Sequence, residues 1–183
     1  LISIIIPTRD KHYLLKKCIN SIKEFNPEHP IEIIIINNES INESTHRYFK
    51  NVRNENKSIP IKIVDIPGEF NFSRFNNIAC NHSNGNVLLL LNNDVRFIQK
   101  GWGSALAQNA LRNDIGCVGA KLFFDDMTIQ HAGVIMGIGG IAGHSLKNIS
   151  GDSNGYQNRL ITTQEFSAVT AACLAIDKSK FKK

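Results

Sequence analysis

Residues 87–95 read Val-Leu-Leu-Leu-Leu-Asn-Asn-Asp-Val, an apolar run that ends in three polar residues. An apolar run of this length predicts a strand that is buried on both faces, as in the centre of a parallel sheet. Open α/β sheets bind their ligands at the carboxyl ends of such strands, where Asn92, Asn93 and Asp94 would lie. A carboxylate beside amides suits a hard divalent cation that shares its oxygen ligands with a substrate's phosphates. The stretch therefore predicts a metal-assisted enzyme acting on a phosphorylated substrate.

The length and composition indicate one globular domain. The 183 residues are enough for one substantial core and too few for two. An apolar fraction of 42% and a charged fraction of 20% are ordinary for a globular protein. The net charge of +5 favours an anionic partner. Because the chain has no arginine-rich block and no basic–aromatic alternation, a small phosphorylated ligand is favoured and nucleic acid is not expected.

The cysteines and the first residues indicate the cellular compartment of the protein. Cys18, Cys80, Cys117 and Cys173 lie in apolar surroundings without Cys-x-x-Cys spacing, so we expect reduced, buried side chains. No apolar run is long enough to cross a bilayer, and the first residues do not resemble a signal peptide. We therefore expect a cytoplasmic protein. Because the chain begins at the first residue of a strand and ends where a helix is starting, we also expect it to be part of a longer protein.

The order of predicted elements indicates an α/β fold. Apolar runs predict strands at residues 2–6, 31–36, 59–66 and 87–91, and helical periodicity follows each of them, at 14–25, 43–53, 73–85 and 101–112. Asp10 is expected to cap the first helix. Strand–helix units with short connections predict a parallel sheet with right-handed crossovers. Beyond residue 114 we predict strands at 115–124, 128–137 and 169–176, with a long loop at 137–160.

A series of motifs resembles the family 2 glycosyltransferases of the GT-A fold. The motifs lie, in the family's order, at residues 4–10, 37–40, 70–77 and 91–95. Residues 130–133, 139–144 and 167–173 are similar to the bacterial, rhamnosyltransferase-like subgroup that builds cell-surface polysaccharides. The resemblance implies a Rossmann-like three-layer fold with a mostly parallel central sheet and a smaller, irregular, mixed C-terminal half. It also implies a single catalytic domain over 1–183 that is incomplete at its C-terminus, with a nucleotide-sugar-binding half (1–114) and an acceptor-side half (115–183).

The resemblance assigns roles to individual residues. Pro7, Thr8 and Arg9 would line the base and ribose pocket, and Arg74 and Asn77 would face the nucleotide. Asn37 or Asn38 stands where family members commonly carry an aspartate that contacts the base. Asn93 and Asp94 correspond to the family's Asp-x-Asp-like motif, in which Asp94 would be the catalytic ligand of Mg²⁺ or Mn²⁺. His144 would lie on the acceptor or phosphate side.

The resemblance also implies the reaction. A sugar would pass, with inversion, from a UDP- or dTDP-sugar to a hydroxyl of a glycan or lipid-linked saccharide, at the cytoplasmic face of the inner membrane through peripheral association of the parent protein. The family's carboxylate base is expected beyond residue 183, so this chain is expected to bind the donor but to transfer poorly. Asp125, Asp126 and Glu165 are weaker candidates for the base, since Asp125 and Asp126 read more simply as a turn.

Other functions are compatible with the same residues. A nucleotidyltransferase would also use a parallel sheet and a divalent metal, but the loop after the first strand lacks the glycines that it needs. A non-catalytic module that binds a nucleotide sugar would fit the asparagines at positions 37, 92 and 93. His131 and His144 are predicted to be hydrogen-bonded structural side chains and not metal ligands.

Overall fold

The computed structural model describes all residues, Leu1–Lys183. The strands are β1 (Ile2–Thr8), β2 (Ile31–Asn37), β3 (Ile61–Asp65), β4 (Val87–Leu91), β5 (Val118–Gly119), β6 (Leu122–Phe123), β7 (Ile129–His131), β8 (Val134–Met136), β9 (Ala142–His144) and β10 (Cys173–Asp177). The helices are α1 (His12–Glu24), α2 (Glu43–Glu55), α3 (Phe72–His82), α4 (Trp102–Ala110) and α5 (Lys178–Phe181), and short 3₁₀ turns lie at 138–140 and 156–158. The predicted strand–helix units of the first 114 residues are confirmed.

One six-stranded sheet has the order β3-β2-β1-β4-β10-β5. The strands β1 to β4 are mutually parallel, and Ile5 of β1 lies opposite both Ile34 of β2 and Leu90 of β4. The strand β10 runs antiparallel to β4 and β5. The predicted α/β fold with a mostly parallel central sheet is therefore confirmed. None of the helices has the length and apolar composition that crossing a bilayer requires.

The two faces of the sheet bury separate apolar clusters. Successive strand residues point to opposite faces, so Ile4 and Ile6 belong to a cluster of 24 buried residues and Ile5 to one of 9. Helices α1, α2 and α4 cover the larger cluster, and α3 covers the smaller one through Phe75 and Ala79. Because both faces are covered, the central strands carry no polar alternation, which explains the continuous apolar runs of the sequence.

The C-terminal part departs from the predicted pattern. The long strands predicted at 115–124 and 128–137 are short segments, of which β6 pairs with β7 and β8 with β9. Gly133 breaks the second run, because its φ of +103° is left-handed and a Cβ there would lie 2.5 Å from the Phe166 ring. The last strand begins at Cys173 and not at residue 169, and Ala168 before it forms an isolated bridge to Val134 of β8.

The cysteine prediction holds with one correction. All four cysteines are free thiols, and burial raises the pKa of Cys18 and Cys173. Cys117, predicted to be buried, is only half-buried because it lies just before the short β5 at the edge of the sheet.

A buried carboxylate joins the amino ends of the central strands, far from the loops that follow them. Glu32 of β2 accepts hydrogen bonds from Ser3 Oγ of β1 (2.7 Å) and from the backbone N–H and side-chain amide of Asn84 before β4. Burial acts to raise the pKa of Glu32, but these hydrogen bonds and the Lys62 ammonium at 3.8 Å outweigh it, so the pKa is lowered. Glu32 is therefore ionised and satisfied inside the fold.

We expect Glu32→Ala to lower the free energy of unfolding by about 2–4 kcal/mol, because it leaves the buried Ser3 hydroxyl and the partly buried donors of Asn84 without their acceptor. Urea unfolding at pH 7 measures the loss. Glu43→Ala is the matched control, since Glu43 makes an exposed pair with Arg47 and its removal should change stability little. Equal losses in the two variants would contradict a structural role for Glu32.

Candidate functional site

A cavity of about 270 Å³ opens at the carboxyl ends of β1, β2 and β4. The parallel register brings these ends together, and Thr8 at the end of β1 lies opposite Asn37 at the end of β2. The predicted site residues that line the cavity are Pro7, Thr8, Arg9, Asn38, Asn93 and Asp94. Residues from three separate motifs therefore meet in one concave site.

The loop after β4 is anchored so that one carboxylate stays free. The side-chain NH₂ of Asn93 donates to Thr8 Oγ1 at 2.9 Å, which connects this loop to the end of β1. The side-chain oxygen of Asn93 stays available. Asp94 is exposed and takes part in no hydrogen bond or ion pair of its side chain within the chain. By contrast, Asp125 pairs with Arg96 at 2.6 Å and Asp126 accepts from Thr128 in a turn. Asp94 is thus an acid of the cavity that the fold itself does not use.

Asn38 offers an unsatisfied acceptor in the cavity wall. Its side-chain NH₂ donates to the carbonyl oxygens of Ile66 (3.3 Å) and Gly68 (2.9 Å). Two carbonyl partners fix the amide orientation, because only the nitrogen can donate to them. The other side-chain atom, Oδ1, is buried and has no partner. An unpaired buried acceptor costs free energy, so a ligand donor that reached this oxygen would be stabilised by it.

The loop after β1 differs from the prediction at Asp10. Asp10 does not cap α1, which follows Lys11 without a side-chain cap. Its carboxylate instead accepts from the backbone N–H groups of Ile41 (3.0 Å) and Asn42 (2.9 Å), while its own N–H donates to Ser40 Oγ. The left-handed φ values of Asp10 (53°) and Lys11 (50°) turn the carboxylate toward the loop after β2 and away from the helix. This cross-link holds the loops on two sides of the cavity together.

Lys11 and three aromatic side chains are parts of the cavity to which the sequence assigned no role. The exposed Lys11 lines the cavity together with Arg9, so two cations accompany Asp94. Nothing in the local sequence indicated this position, because it depends on the left-handed turn. The aromatic residues are Phe70, Phe72 and Phe75. Phe70 is 65% exposed, and its ring meets that of Phe75 edge-on at 5.4 Å.

Four predicted site residues do not line this cavity. Asn37 is buried, donates to Asp65 Oδ1 at 2.7 Å and faces a separate cavity beside α2. Arg74 is exposed and its guanidinium donates to the carbonyl oxygen of Pro67 at 3.0 Å. Asn77 is exposed on α3, and His144 lies on β9. The helix α3 begins at Phe72 and not at Ser73, because the Asn71 side chain caps it by accepting from the N–H of Arg74.

The two histidines of the C-terminal part are hydrogen-bonded to each other, as a structural role predicts. The Nδ1 atoms of His131 and His144 are 2.9 Å apart, and the ring planes are nearly perpendicular. His131 is 1% exposed, whereas His144 is exposed. Burial, together with the neighbouring His144, lowers the pKa of His131 to about 4. His131 is therefore neutral at neutral pH.

The sequence profile described as Glycosyl transferase family 2 matches residues 3–181. The chain belongs to this family. The uncharacterized protein y4gI of Sinorhizobium fredii (strain NBRC 101917 / NGR234) is 39% identical over 181 residues, which are 99% of this chain and 20% of that protein. The O-antigen biosynthesis protein RfbC of Myxococcus xanthus is 29% identical over 184 residues, which are 99% of this chain and 14% of that protein. The chain thus spans a fifth or less of the length of these relatives.

Solved structures of glycosyltransferases share the fold. A crystal structure of GalNAc-T7 with UDP, GalNAc and Mn²⁺ aligns with 99% of this chain and 35% of its own, at 14% identity and a TM-score of 0.68. The mannosyltransferase PcManGT from Pyrobaculum calidifontis, in complex with GDP-Man and Mn²⁺, aligns with 67% of this chain and 35% of its own, at 16% identity and a TM-score of 0.56. These likenesses confirm the predicted GT-A-type fold.

We expect the free energy of unfolding to decrease as the pH is lowered, because His131 is buried as a neutral side chain. Its pKa is lowered from 6.5 to about 4 in the folded chain, so between these values the unfolded state binds a proton that the folded state does not. Neutral His131 makes its full contribution to the free energy of unfolding above pH 6.5. This contribution decreases as the pH falls toward 4, by up to about 3 kcal/mol. Urea unfolding from pH 7 to pH 4.5 measures the slope. His131→Gln lacks the titrating ring and should show a shallower slope, whereas parallel curves would contradict the prediction.

Proposed function

We propose that this chain is the nucleotide-sugar-binding part of a glycosyltransferase that moves a sugar from a nucleoside-diphosphate sugar to a hydroxyl of a glycan or lipid-linked saccharide. The observation that carries the proposal is the free carboxylate of Asp94 at the carboxyl edge of the sheet, beside the cations Arg9 and Lys11. Open α/β sheets bind ligands at this edge. Membership of glycosyl transferase family 2 supports the reaction class.

The free oxygen atoms fit a hard divalent cation. The carboxylate of Asp94 and the carbonyl oxygen of Asn93 would hold Mn²⁺ or Mg²⁺, which keep several waters and take phosphate oxygens as further ligands. No group of three or more His, Cys, Asp or Glu side chains is gathered anywhere in the chain to hold a metal. The metal site would therefore be completed by the donor's diphosphate. A metal bound there supplies positive charge to the departing diphosphate.

Asn38 gives the site a preference among nucleobases. Its unpaired Oδ1 accepts but does not donate, so it suits the N3–H of uracil or thymine. Cytosine presents an acceptor at the same ring position, and two acceptors facing each other leave both unsatisfied. The contact therefore acts against a CDP-sugar, whereas guanine also presents a ring N–H and is compatible with it. We propose a UDP- or dTDP-sugar as the donor on the family resemblance.

The transfer step also needs an acceptor saccharide and a catalytic base. Deprotonation of the acceptor hydroxyl calls for a carboxylate. Asp125 and Asp126 are engaged in a turn, and the exposed Glu165 does not line the cavity, so the base of an inverting transfer is proposed to lie outside this chain. The similarity to an O-antigen biosynthesis protein supports a cell-surface polysaccharide as the product. Synthesis at the cytoplasmic face of the membrane, through the parent protein, is part of the proposal.

We expect Asp94→Asn to weaken Mn²⁺-dependent binding of UDP by about tenfold or more, because the amide removes the one charged metal ligand. Calorimetric titration of UDP with and without Mn²⁺ measures the metal-dependent part. Asp152→Asn is the matched control, since Asp152 is an exposed acid outside the cavity, and it should bind as the wild type does.

Metal-dependent UDP binding that is unchanged in Asp94→Asn would remove Asp94 from its proposed role. Transfer itself requires an assay of the full-length protein with donor, Mn²⁺ and acceptor. Binding of the donor without transfer in that protein would favour a non-catalytic nucleotide-sugar-binding module over an enzyme.

A second prediction concerns the nucleobase of the donor. UDP and CDP differ only in the pyrimidine, so they share every diphosphate and ribose contact. With Mn²⁺ present, we expect UDP to bind about tenfold more tightly than CDP, the size of one satisfied hydrogen bond in place of two opposed acceptors. Competition of the two nucleotides in a fluorescence or calorimetric titration measures the ratio. Equal affinities would show that Asn38 Oδ1 does not contact the base edge.

A further inference from the structure

The buried His131 joins three chain segments that are distant in sequence. Its Nδ1 lies 2.9 Å from Nδ1 of His144 on β9. Its Nε2 accepts from the backbone N–H of Gly133, between β7 and β8, at 3.3 Å and from that of Thr170, before β10, at 3.4 Å. The three segments contain the three later sequence motifs, at 130–133, 139–144 and 167–173. One imidazole therefore organises all of them.

These contacts determine where the ring hydrogens lie. Because two N–H donors point at Nε2 of His131, that atom carries a lone pair and the ring hydrogen is on Nδ1. His131 then donates from Nδ1 to Nδ1 of His144. His144 accepts at Nδ1, so its own hydrogen is on Nε2, at the other side of an exposed ring. The buried histidine fixes the exposed one as a hydrogen-bond donor.

The same contacts argue against a metal between the rings. A histidine that binds a metal through one nitrogen normally donates a hydrogen bond from the other. Nε2 of His131 accepts instead, so its Nδ1 holds the hydrogen that a metal would have to displace. The pair is a hydrogen-bonded unit and not a metal site.

The pair lies on one defined side of the proposed donor site. Thr170 is two residues before Ala172, whose carbonyl oxygen accepts from the N–H of Asn92 at 2.9 Å. Two residues of extended chain span at most about 7 Å. In the sheet, Asn38 follows β2, Asp94 follows β4, and β10 is the next strand beyond β4. The histidines are therefore on the far side of Asp94 from the proposed base contact, where the sugar of a bound donor would project.

We propose that His131 and His144 form a saccharide subsite, in which buried His131 is a positioning residue that holds the Nε2–H of His144 toward a sugar hydroxyl. This inference rests on the proposed function. The hydroxyl belongs either to the transferred sugar of the donor or to the acceptor saccharide, which present the same chemistry to an N–H donor.

Histidine tautomers provide a direct test. In the chain labelled with ¹⁵N-histidine, NMR at pH 7.5 should show His131 protonated at Nδ1 and His144 protonated at Nε2. Assignment follows from the His131→Gln and His144→Phe variants, each of which removes one ring. A wild-type His131 protonated at Nε2 would overturn the inference, whatever the ligand experiments give.

Ligand affinities test the subsite itself. UDP, UDP-glucose and UDP-N-acetylglucosamine are titrated with Mg²⁺, and free glucose is titrated into the UDP complex. In His144→Phe and His131→Phe, we expect the affinity for a saccharide-bearing ligand to fall about fivefold to tenfold more than the affinity for UDP. His131→Gln should restore most of it, because a glutamine side chain can both accept from backbone N–H groups and donate to His144. His82→Phe, at an exposed position on α3, is the control.

The arms of the experiment separate the outcomes. A selective loss with the UDP-sugars assigns the hydroxyl to the donor, and a selective loss with free glucose assigns it to the acceptor. Unchanged ratios in both histidine variants overturn the subsite and leave the proposed function standing. A wild-type chain that does not bind UDP at all contradicts the proposed function and this inference with it.

Discussion

The parallel pairing of β1 with both β2 and β4 is the constraint on which the rest depends. Ile5 lies opposite Ile34 and Leu90, and all three belong to the same buried cluster. Because successive residues point to opposite faces, a slip of one residue would carry every side chain into the wrong cluster. The register is therefore fixed by burial on two faces. A fixed register brings the ends of the three strands to one edge, and the loops that follow them form the cavity.

At that edge, neutral or hydrogen-bonded side chains connect the loops to each other, whereas two charged side chains have no partner in the chain. The carboxylate of Asp10 is satisfied by backbone N–H groups of the next loop, and Asn93 is tied to Thr8. Arg9 and Asp94 have no partner in the chain and face the cavity. The geometry of the site is thus set before any ligand arrives, and the groups that remain unpaired are those that can meet a ligand's phosphates or metal.

The central fold was predictable because its signals are local in the sequence. The wrong predictions involve contacts between residues that are distant in the sequence. Continuous apolar strands and helical periodicity are properties of short segments, so β1 to β4 and their helices could be read directly. The cap assigned to Asp10 was wrong because its carboxylate reaches N–H groups about thirty residues away, at Ile41. The strand predicted at 128–137 was broken by Gly133, whose close contact is Phe166. For the histidines, hydrogen bonding was predictable, but the sequence could not indicate that His131 and His144 bond to each other.

The charges at the cavity suggest an order of binding. A motif with two or more acids would attract a divalent cation before the nucleotide. Here one carboxylate, Asp94, shares the cavity with the cations Arg9 and Lys11, so the formal charge of these three groups is positive. In the proposed complex, such a site would attract the diphosphate first, and the diphosphate would then supply the negative oxygens that the metal lacks. At the other end, Asn38 has an oriented hydrogen-bond acceptor without charge, so in the proposed complex the nucleobase would be recognised by hydrogen-bond geometry and the diphosphate would be held by charge.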